Sequence, residues 1–367
     1  MKIELQCPVH NSYQVQQVGG MFGVSIAERL ITTIEVENPP VDDGSWQIGC
    51  IVGTSGGGKS SIAQHCYGDT LYHAGNWDEN KAVIDCFDNA DIKAITAMLT
   101  AVGFSSPPSW IKPYSVLSNG EKSRCDLARA LLSAQGGLVV YDEYTSVVDR
   151  NVAKIMSAAL AKGIKSKKID CRFISVGCHY DILDWLEPDW VLDVNTGMVD
   201  RRLLRRPSIE LKIYKCHYNN WRLFAKHHYL DSKKLSTSSQ CYVALYDEIP
   251  VSFCSVMSNC GHKGRRRISR IVTLPDYQGI GIGKALLNFV ADKYKNDRHR
   301  VSIGTSHPAM VQSLHRDDRW ILTSINSSEN NKGTTQKTKG LRNSIVIGRK
   351  VACFEYKGCD HAEQVGA

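Results

Sequence analysis

A phosphate-binding loop near the N-terminus restricts the fold of this 367-residue chain more than any other feature. The segment Gly53–Ser60 (GTSGGGKS) directly follows the apolar run Ile48–Val52. Its glycines let backbone amides close around phosphates, Lys59 reaches the β- and γ-phosphates, and Ser60 ligates Mg²⁺. The motif requires a strand before it and a helix after it, so the sequence predicts an α/β sheet that binds a nucleoside triphosphate.

Two further segments follow in the order that a nucleotide hydrolase needs. Leu117–Glu121 (LSNGE) opens a helical pattern, and Leu138–Glu143 is an apolar strand that ends in two acids. We expect Asp142 to hold Mg²⁺ and Glu143 to polarise the attacking water. Because both acids are present, ATP hydrolysis is favoured over the alternative of a degenerate fold that only binds nucleotide.

Over roughly residues 1–200, these motifs resemble those of the ABC-type ATPases. The resemblance places Ser118 and Gly120 in the signature motif. It also makes Asp149 the D-loop residue and His179 the switch histidine, which senses the γ-phosphate. In such enzymes the signature of one subunit completes the P-loop site of another, so a homodimer around ATP is implied. The implied ATP-binding residues are Gly53, Gly56, Gly58, Lys59, Ser60, Ser61, Ser118, Gly120 and Asp149, with Mg²⁺ on Ser60 and Asp142.

The chain departs from the ABC pattern in two ways. Between Ser61 and Leu117 the only glutamine is Gln64, which belongs to the P-loop helix, so the usual Q-loop glutamine is missing. The spacing from P-loop to signature is about 60 residues, which leaves room for only a small helical subdomain. The sequence also lacks any run of about 18 apolar residues. We therefore expect no membrane partner.

A second glycine loop lies in the C-terminal half. Gln278–Gly283 (QGIGIG) comes after the strand-like Ile268–Leu274 and before the helical pattern Lys284–Tyr294. The amides at such a helix N-terminus attract a pyrophosphate. A Rossmann dinucleotide loop is the competing interpretation, but its first glycine would follow the strand directly, and here Pro275–Tyr277 intervenes.

The stretch Arg270–Lys284 (RIVTLPDYQGIGIGK) resembles motif A of the GNAT acyltransferases almost position by position. This resemblance implies an α+β acyltransferase domain that binds acetyl-CoA or another acyl-CoA. The pyrophosphate of coenzyme A would lie on the loop amides, and the pantetheine arm would pair with the preceding strand. The implied acyl-CoA-binding residues are Val272, Leu274, Gln278, Gly279, Gly281, Gly283 and Lys284.

The acid–base residue of acyl transfer is less clear from the sequence. GNAT chains often carry Asn at the end of the next strand and Tyr one or two helix turns later, where this chain has Ser306–Pro308 and then Leu314-His315. His307 can take a proton near neutral pH, and a buried structural histidine is the alternative. The pair His228-Tyr229, which ends a basic segment, resembles the phage Mom-type enzymes, GNAT relatives that modify adenine in DNA. The candidate acyltransfer residues are therefore His228, Tyr229 and His307.

Charge is divided unevenly along the chain. Residues 1–200 contain 16 Lys and Arg against 24 Asp and Glu, a net of −8, whereas residues 201–367 contain 29 against 13, a net of +16. The basic half has dense runs at Arg201–Arg206 and Lys263–Arg267. Such clusters favour a polyanion, because each neutralised phosphate releases counterions, and the alternative is a solvated face with a linker. The candidate nucleic-acid contacts are Arg265, Arg266 and Arg267.

Thirteen cysteines without a Cys-x-x-Cys pair, and no apolar leader, predict a cytoplasmic chain with reduced thiols. Cys254, Cys260 and His262, or Cys353 and Cys359, are close enough in sequence to suggest a metal site, but ordinary buried thiols are favoured.

Coarse patterns give the domain organisation. Alternation over Tyr13–Val18 predicts a strand, the spacing over Asn219–Tyr229 predicts a helix, and the polar stretch Ser324–Asn343 predicts a loop. The predicted organisation is an ABC-type ATPase domain over 1–200, a basic linker over 201–207, a GNAT-type domain over 208–358, and a tail over 359–367.

Three functional hypotheses follow. The first is an ATP-hydrolysing, acyl-CoA-dependent N-acyltransferase whose acceptor is a nucleic-acid amine, most plausibly a DNA base. The second is an ATP-driven clamp or defence protein whose acyltransferase half modifies a protein or a tRNA. The third is a small-molecule N-acetyltransferase regulated by ATP, and it is the weakest because it leaves the +16 half without a role.

Overall fold

The computed structural model describes residues 1–8, 10–24, 29–73, 75–87, 90–134, 136–201, 204–228, 235–258, 264–327 and 350–358. Tyr229, Cys260, His262, Cys359 and the predicted tail therefore lie outside the described residues. The chain divides into two compact units. The first contains residues 1–74, 133–147 and 170–206, and the second contains residues 75–132, 148–169 and 207–367.

The boundary between Arg206 and Pro207 falls inside the predicted linker. Two segments of the predicted ATPase region, 75–132 and 148–169, belong to the same unit as the predicted acyltransferase region. The two compact units of the structure therefore do not coincide with the two regions that the sequence motifs define.

The secondary structure alternates strands and helices. The strands are β1 (Lys2–Pro8), β2 (Arg29–Glu35), β3 (Ile48–Val52), β4 (Leu138–Tyr141), β5 (Arg172–Gly177), β6 (Trp190–Asp193), β7 (Met198–Asp200), β8 (Lys212–Cys216), β9 (Gln240–Tyr246), β10 (Ile249–Ser258), β11 (Arg265–Thr273), β12 (Arg300–Thr305), β13 (Trp320–Ser327) and β14 (Lys350–Tyr356). The helices are α1 (Tyr13–Phe22), α2 (Lys59–Tyr67), α3 (Ile92–Ala101), α4 (Pro107–Trp110), α5 (Asn119–Ser133), α6 (Arg150–Lys165), α7 (Leu183–Leu186), α8 (Trp221–Phe224), α9 (Ile282–Asn296) and α10 (Pro308–His315).

The first unit is built on a five-stranded sheet in the order β4-β5-β3-β6-β7. The first four strands are parallel and β7 is antiparallel. All five residues of β3 are buried, as a continuous Ile/Val-rich run in a central parallel strand requires. A separate two-stranded sheet pairs β1 with β2, from Lys2↔Glu35 to Pro8↔Arg29.

The strand predicted over Tyr13–Val18 is wrong, because these residues lie in helix α1. Ser12 caps the helix by accepting a hydrogen bond from the amide of Val15, and Gly23 ends it in the left-handed conformation. The local capping residues therefore decide the structure over a short polar alternation that buries little.

The second unit contains a seven-stranded sheet in the order β13-β14-β12-β11-β10-β9-β8. Neighbouring strands are antiparallel except β11 and β12, which are parallel. The hairpin of β9 and β10 turns at Asp247 and Glu248, whose φ angles of 48° and 63° are those of a tight two-residue turn.

Two predicted elements are shorter than expected. The helix predicted over Asn219–Tyr229 is reduced to α8 between two 3₁₀ turns, because only Trp221 and Phe224 supply a buried aromatic face. The first four residues of the predicted loop, Ser324–Ser327, instead belong to β13, and residues 328–349 lie outside the described residues.

Candidate functional site

The carboxyl ends of four strands bring the ATPase motifs of the first unit to one edge of its sheet. The P-loop (Gly53–Ser60) follows β3, Asp142 follows β4, His179 follows β5 and Asn195 follows β6. The register that aligns these ends is Tyr141↔Ser175, Val52↔Gly177 and Val52↔Asp193. Ligands of parallel α/β sheets bind at this edge, and the fold brings residues predicted for the nucleotide site to it.

The P-loop has a backbone that only glycine accommodates at two of its positions. Gly56 and Gly58 have φ angles of 77° and 87°, and a Cβ at Gly58 would overlap the side chain of Ile34 on β2. Lys59 is 6% exposed, and its Nζ donates to the carbonyl of Thr54, 2.7 Å away. The lysine therefore lies across the loop in which phosphates would bind.

A polar network that the sequence did not reveal ties the P-loop to the end of β6. The amide and hydroxyl of Thr54 donate to Asn195 Oδ1 at 3.2 and 3.0 Å. Asn195 Nδ2 donates to the hydroxyl of Tyr180 at 3.0 Å, and that hydroxyl donates to both carboxylate oxygens of Asp193 at 3.1 Å. Partial burial raises the pKa of Tyr180. The only sequence signal was the position of these residues directly after β5 and β6.

The two acids after β4 occupy different environments. Asp142 is half-buried, and its Oδ1 accepts from the amide of Glu143 at 2.9 Å. Glu143 is exposed, has a left-handed φ of 52°, and its carboxylate accepts a hydrogen bond from the hydroxyl of Ser146. A carboxylate at the sheet edge and an exposed second acid suit a metal ligand and a general base, respectively.

The donor set fits Mg²⁺ bound together with a nucleotide. Asp142 supplies a carboxylate and Ser60, exposed in the first turn of α2, supplies a hydroxyl, and Mg²⁺ takes one or two such ligands plus phosphate oxygens and water. Within the described ranges, no group of three or more His, Cys, Asp and Glu side chains is arranged to hold a metal ion. Ser61 and His179 are half-buried next to this edge, and Gly53 begins the loop with a φ of 157°.

The predicted signature residues belong to the second unit. The hydroxyl of Ser118 accepts from the amide of Glu121 at 3.3 Å while Glu121 Oε2 accepts from the amide of Ser118 at 3.0 Å, so the pair forms a capping box at the start of α5. Ser118 is exposed, whereas Gly120 is buried. Asp149 is the exposed N-cap of α6 and accepts from the amide of Asn151 at 2.9 Å. The exposed Ser118 and Asp149 are accessible to a nucleotide or partner.

The second glycine loop, here called the acyl-CoA loop (Gln278–Gly283), ends at the N-terminus of α9. Gly279 and Gly281 are exposed and have φ angles of 87° and 105°. The first helical hydrogen bond runs from the amide of Ala285 to the carbonyl of Gly281, 3.0 Å away, so the amides before Ala285 have no partner inside the helix. A Cβ at Gly283 would lie 2.7 Å from Thr273 Oγ1, which explains why this position is occupied by glycine. The arrangement is an anion site.

The strand before the loop has an open edge. The parallel register of β11 with β12 covers only the four pairs from Arg265↔Arg300 to Ile268↔Ile303, so the two strands separate towards the loop. The amide of Leu274 donates to Val251 and the carbonyl of Val272 accepts from Ser252, both on the β10 side. Because backbone groups alternate in direction along a strand, the amide of Thr273 faces the open side. This alternation corrects the pantetheine pairing predicted at Val272 and Leu274.

The polar side chains of the motif hold the loop rather than project from it. Gln278 Nε2 donates to the carbonyl of Thr273 at 2.9 Å. The ammonium of Lys284 lies 3.0 Å from a carboxylate oxygen of Asp317, which also pairs with Arg319 at 2.9 Å. These hydrogen bonds and charges hold the pKa of Asp317 well below its usual range. The ammonium of Lys284 is therefore paired with Asp317, and its backbone amide lies in the first turn of α9.

The candidate acyltransfer histidines differ in accessibility. The Nε2 of His307 lies 3.3 Å from the carbonyl of Ser105, and since a carbonyl only accepts, that nitrogen carries the proton and Nδ1 is the basic atom of the neutral ring. Burial lowers the pKa of His307. His228 is 8% exposed and packs edge-on against Trp221, with ring centroids 5.5 Å apart. His307 thus has a titratable ring that is partly exposed, whereas the ring of His228 packs in the core.

The arginine run of β11 is divided between the two faces of its sheet. Arg266 is half-buried, donates to Ser258 at 2.7 Å and lies over the ring of Tyr294 on α9. Arg265 and Arg267 are exposed, and side-chain alternation places them on the opposite face. The three predicted phosphate contacts therefore do not form one continuous patch.

The cysteines considered as metal ligands show no site among the described residues. Cys254 is fully buried, and burial raises the pKa of its thiol far above its ordinary value. In the part of the chain that the structure describes, no helix is long and apolar enough to cross a bilayer.

Comparison with protein families identifies the C-terminal site. Residues 237–316, which include the acyl-CoA loop, match the family model described as an acetyltransferase (GNAT) domain. This part of the chain is a GNAT acetyltransferase domain. The GNAT part of the prediction is therefore confirmed for residues 237–316, whereas the ABC-type resemblance of residues 1–200 is based on the P-loop, signature, D-loop and switch-histidine motifs.

Several solved structures are also similar to parts of the chain, and no curated protein sequence matches it. A GNAT family acetyltransferase from Elizabethkingia anophelis with acetyl-CoA bound is 19% identical, with 40% of this chain and 97% of that chain covered and a TM-score of 0.30. The IAA acetyltransferase from Bacillus cereus ATCC 14579 is 16% identical over 40% and 99% of the two chains, with a TM-score of 0.30. The ATP-binding cassette MJ0796, a dimer bound to ADP and Pi, is 15% identical over 49% and 94%, with a TM-score of 0.38.

Proposed function

We propose that this protein is an ATP-hydrolysing, acyl-CoA-dependent N-acyltransferase that modifies an amine of a nucleic acid, most plausibly a DNA base. The observation that carries the transferase part is the acyl-CoA loop. Its exposed Gly279 and Gly281, and the first amides of α9, which have no partner inside the helix, would face a bound anion beside the open edge of β11. The family match over residues 237–316 supports it.

In the transfer step, the acceptor amine attacks the thioester carbonyl, the carbon–sulfur bond breaks, and the coenzyme A thiolate takes up a proton. The pyrophosphate on the first-turn amides fixes the thioester, so the reaction gains chiefly from positioning. His307 supports the acid–base part, because its lowered pKa keeps the ring neutral at neutral pH and therefore able to accept the proton that the amine releases.

In the hydrolysis step, the P-loop amides and Lys59 bind the ATP phosphates, and Asp142 with Ser60 would hold Mg²⁺, which neutralises charge on those phosphates. Glu143 is the proposed general base, since it is exposed at the sheet edge. The exposed Ser118 and Asp149 are consistent with a homodimer in which the signature of one subunit completes the other's site. We place this activity in the cytoplasm.

The proposal that the acceptor is a nucleic acid is based on the positive charge of the C-terminal half. Residues 201–367 carry a net charge of +16, and Arg265 and Arg267 are exposed on the sheet face opposite α9. If they contact phosphates, changing either to Gln flattens the salt dependence of DNA binding by about one unit of slope per lost contact. Arg266→Gln is the matched control, because Arg266 is packed over Tyr294.

The decisive experiment is mass spectrometry of nucleosides from cells that express the wild-type chain or its Gly281→Asp variant. We expect an acylated nucleoside only with the wild type. If the acyl group is found on protein, the nucleic-acid acceptor is wrong while the transferase assignment stands. If it is found on tRNA, the acceptor is a nucleic acid but the assignment to DNA is wrong. If purified protein binds no acetyl-CoA, the transferase assignment itself is wrong.

A further inference from the structure

A lysine from outside the GNAT motif lies at the acyl-CoA loop. Lys162 is exposed near the C-terminal end of α6, the helix capped by Asp149. Its Nζ donates to the carbonyl of Gly279 at 3.3 Å and would lie 3.9 Å from a Cβ at Gly281. The cation is therefore next to the two exposed glycines that frame the anion site.

This position has a chemical consequence for the acyl donor. The ammonium of Lys284, the lysine within the motif, is paired with Asp317. A pyrophosphate on the amides of α9 needs compensation for its negative charge, and Lys162 has its ammonium on the same loop. Because Nζ sits on a flexible stem, it can contact Gly279 and a phosphate oxygen together.

We propose that Lys162 binds the pyrophosphate of acyl-CoA, so that α6 of the ATPase region completes the acyl-CoA site. This inference rests on the proposed transferase function. It assigns a donor-binding residue that lies more than a hundred positions before the GNAT motif, where no motif search would look for one.

The test is isothermal titration of the full chain with acetyl-CoA and with S-acetylpantetheine, which lacks the pyrophosphate. Lys162→Ala should weaken acetyl-CoA binding about tenfold, as expected for one charge-assisted hydrogen bond, and leave S-acetylpantetheine unaffected. Lys162→Arg should restore most of the affinity. Lys165→Ala, which removes an exposed charge from the same helix, is the matched control.

Three results would overturn the assignment. Unchanged acetyl-CoA affinity in Lys162→Ala would show that Lys162 does not bind the pyrophosphate. Equal losses in Lys162→Ala and Lys165→Ala indicate a general charge effect, and an equal loss for S-acetylpantetheine indicates a structural role. No binding of acetyl-CoA by the wild type would instead contradict the proposed function.

A different set of contacts joins the signature motif to the acyl-CoA loop. Arg124, on α5, is fully buried, and its Nη1 and Nη2 donate to Asp276 Oδ1 at 3.3 Å and to the Asp276 carbonyl at 3.2 Å. A Cβ at Gly120 would lie 2.9 Å from Asp276 Oδ1. Asp276 is two residues before the acyl-CoA loop, so its contacts with Arg124 and with the signature glycine join α5 to the segment that leads into the loop.

The packing continues along the loop. A Cβ at Gly279 would lie 2.9 Å from the Cα of Gly103 and 2.8 Å from the Cβ of Ala159. The amide of Ser105 donates to Gln278 Oε1 at 2.6 Å. Because these segments are closely packed, a shift of α5 must move the loop or break the contacts.

We infer that nucleotide engagement at the signature motif and acyl-CoA binding are energetically coupled through Asp276. This second inference also rests on the proposed function. Coupling of this kind is reciprocal, so ATP should change acetyl-CoA affinity by the factor by which acetyl-CoA changes ATP affinity. Typical factors lie between about 5 and 150.

The experiment measures acetyl-CoA affinity with and without Mg-ATP in a Glu143→Gln background, which keeps ATP intact. We expect a change of at least about fivefold. Asp276→Asn should reduce that factor while both ligands still bind, and it avoids replacing the buried arginine. Asp297→Asn, at the other end of α9, should keep the factor. A factor of one in the parent, or an unchanged factor in Asp276→Asn, would overturn the coupling, whereas absent acetyl-CoA binding would contradict the proposed function.

Discussion

The P-loop and the acyl-CoA loop are both predicted to bind phosphate groups, but different parts of the chain hold them in place. Both use left-handed glycines before a helix N-terminus. The P-loop is braced within its own unit, by Asn195 after β6 and by Ile34 on β2. The acyl-CoA loop is also braced within its own unit, but by residues of the segment that the sequence assigns to the ATPase region, such as Ser105, 173 positions before Gln278. A glycine motif therefore identifies the ligand chemistry but not what holds the loop in place.

The largest effect should come from the P-loop side. Glu143→Gln removes the proposed general base, so we expect ATP hydrolysis to fall by about two to four orders of magnitude. ATP binding should persist and dimer should accumulate, because the assembled site cannot complete hydrolysis. The measurement is phosphate release together with size-exclusion chromatography.

The control for this prediction is Glu79→Gln, which removes an exposed acid elsewhere. It should hydrolyse ATP at the parent rate. A Glu143→Gln protein that also hydrolyses at the parent rate would show that another group activates the water.

The second prediction concerns the acyl-CoA loop. Gly281→Asp adds a negative side chain at a φ of 105° beside the pyrophosphate, so acetyl-CoA affinity should fall about a hundredfold while ATP hydrolysis continues. Gly264→Asp is the control, because Gly264 has a φ of 81° and open space around it, so backbone strain is matched without an anion nearby. Calorimetry that shows equal losses in both variants would assign the effect to strain.

The sequence predicted the local motifs better than their surroundings. The P-loop, the acids after β4 and the acyl-CoA loop are local motifs whose residues are adjacent in the chain, so their chemistry is readable directly. The contacts of Thr54 with Asn195 and of Gln278 with Ser105 join distant segments through single hydrogen bonds, which leave no periodic signal. The division of the arginine run between two faces required the strand boundaries, because one residue of register decides the face.

The third prediction tests whether the acyl-CoA loop depends on its distant support. A Cβ at Gly103 would lie 3.1 Å from the carbonyl of Gln278, and Gly103 has a φ of 87°. Gly103→Ala should cost about 1–2 kcal/mol of stability and weaken acetyl-CoA binding about tenfold. Gly136→Ala is matched, since Gly136 has a φ of 88° and its Cβ would lie 3.3 Å from the carbonyl of Asp170 in the first unit.

Thermal unfolding and calorimetry of the two glycine variants distinguish the possibilities. Gly136→Ala should lose comparable stability and keep its acetyl-CoA affinity. If Gly103→Ala binds acetyl-CoA like the parent, the loop is held by its own motif, and the contrast between the two loops disappears.

The smallest predicted effect is a pH dependence that belongs to the acyl-CoA side. Burial lowers the pKa of His307, whose Nε2 donates to the Ser105 carbonyl, so the unfolded chain binds this proton more readily than the folded one. The resulting stability is complete above the unfolded pKa of about 6.5 and is lost as pH falls from there towards the lower folded pKa.

His227, whose pKa burial also lowers, titrates in the same direction, so the contribution of His307 must be isolated by difference. Denaturant unfolding between pH 5 and 7.5 should give a smaller rise in stability with pH for His307→Gln than for the wild type. Identical pH profiles would show that His307 titrates alike in the folded and unfolded chains and that its contact with the segment supporting the acyl-CoA loop is not coupled to protonation.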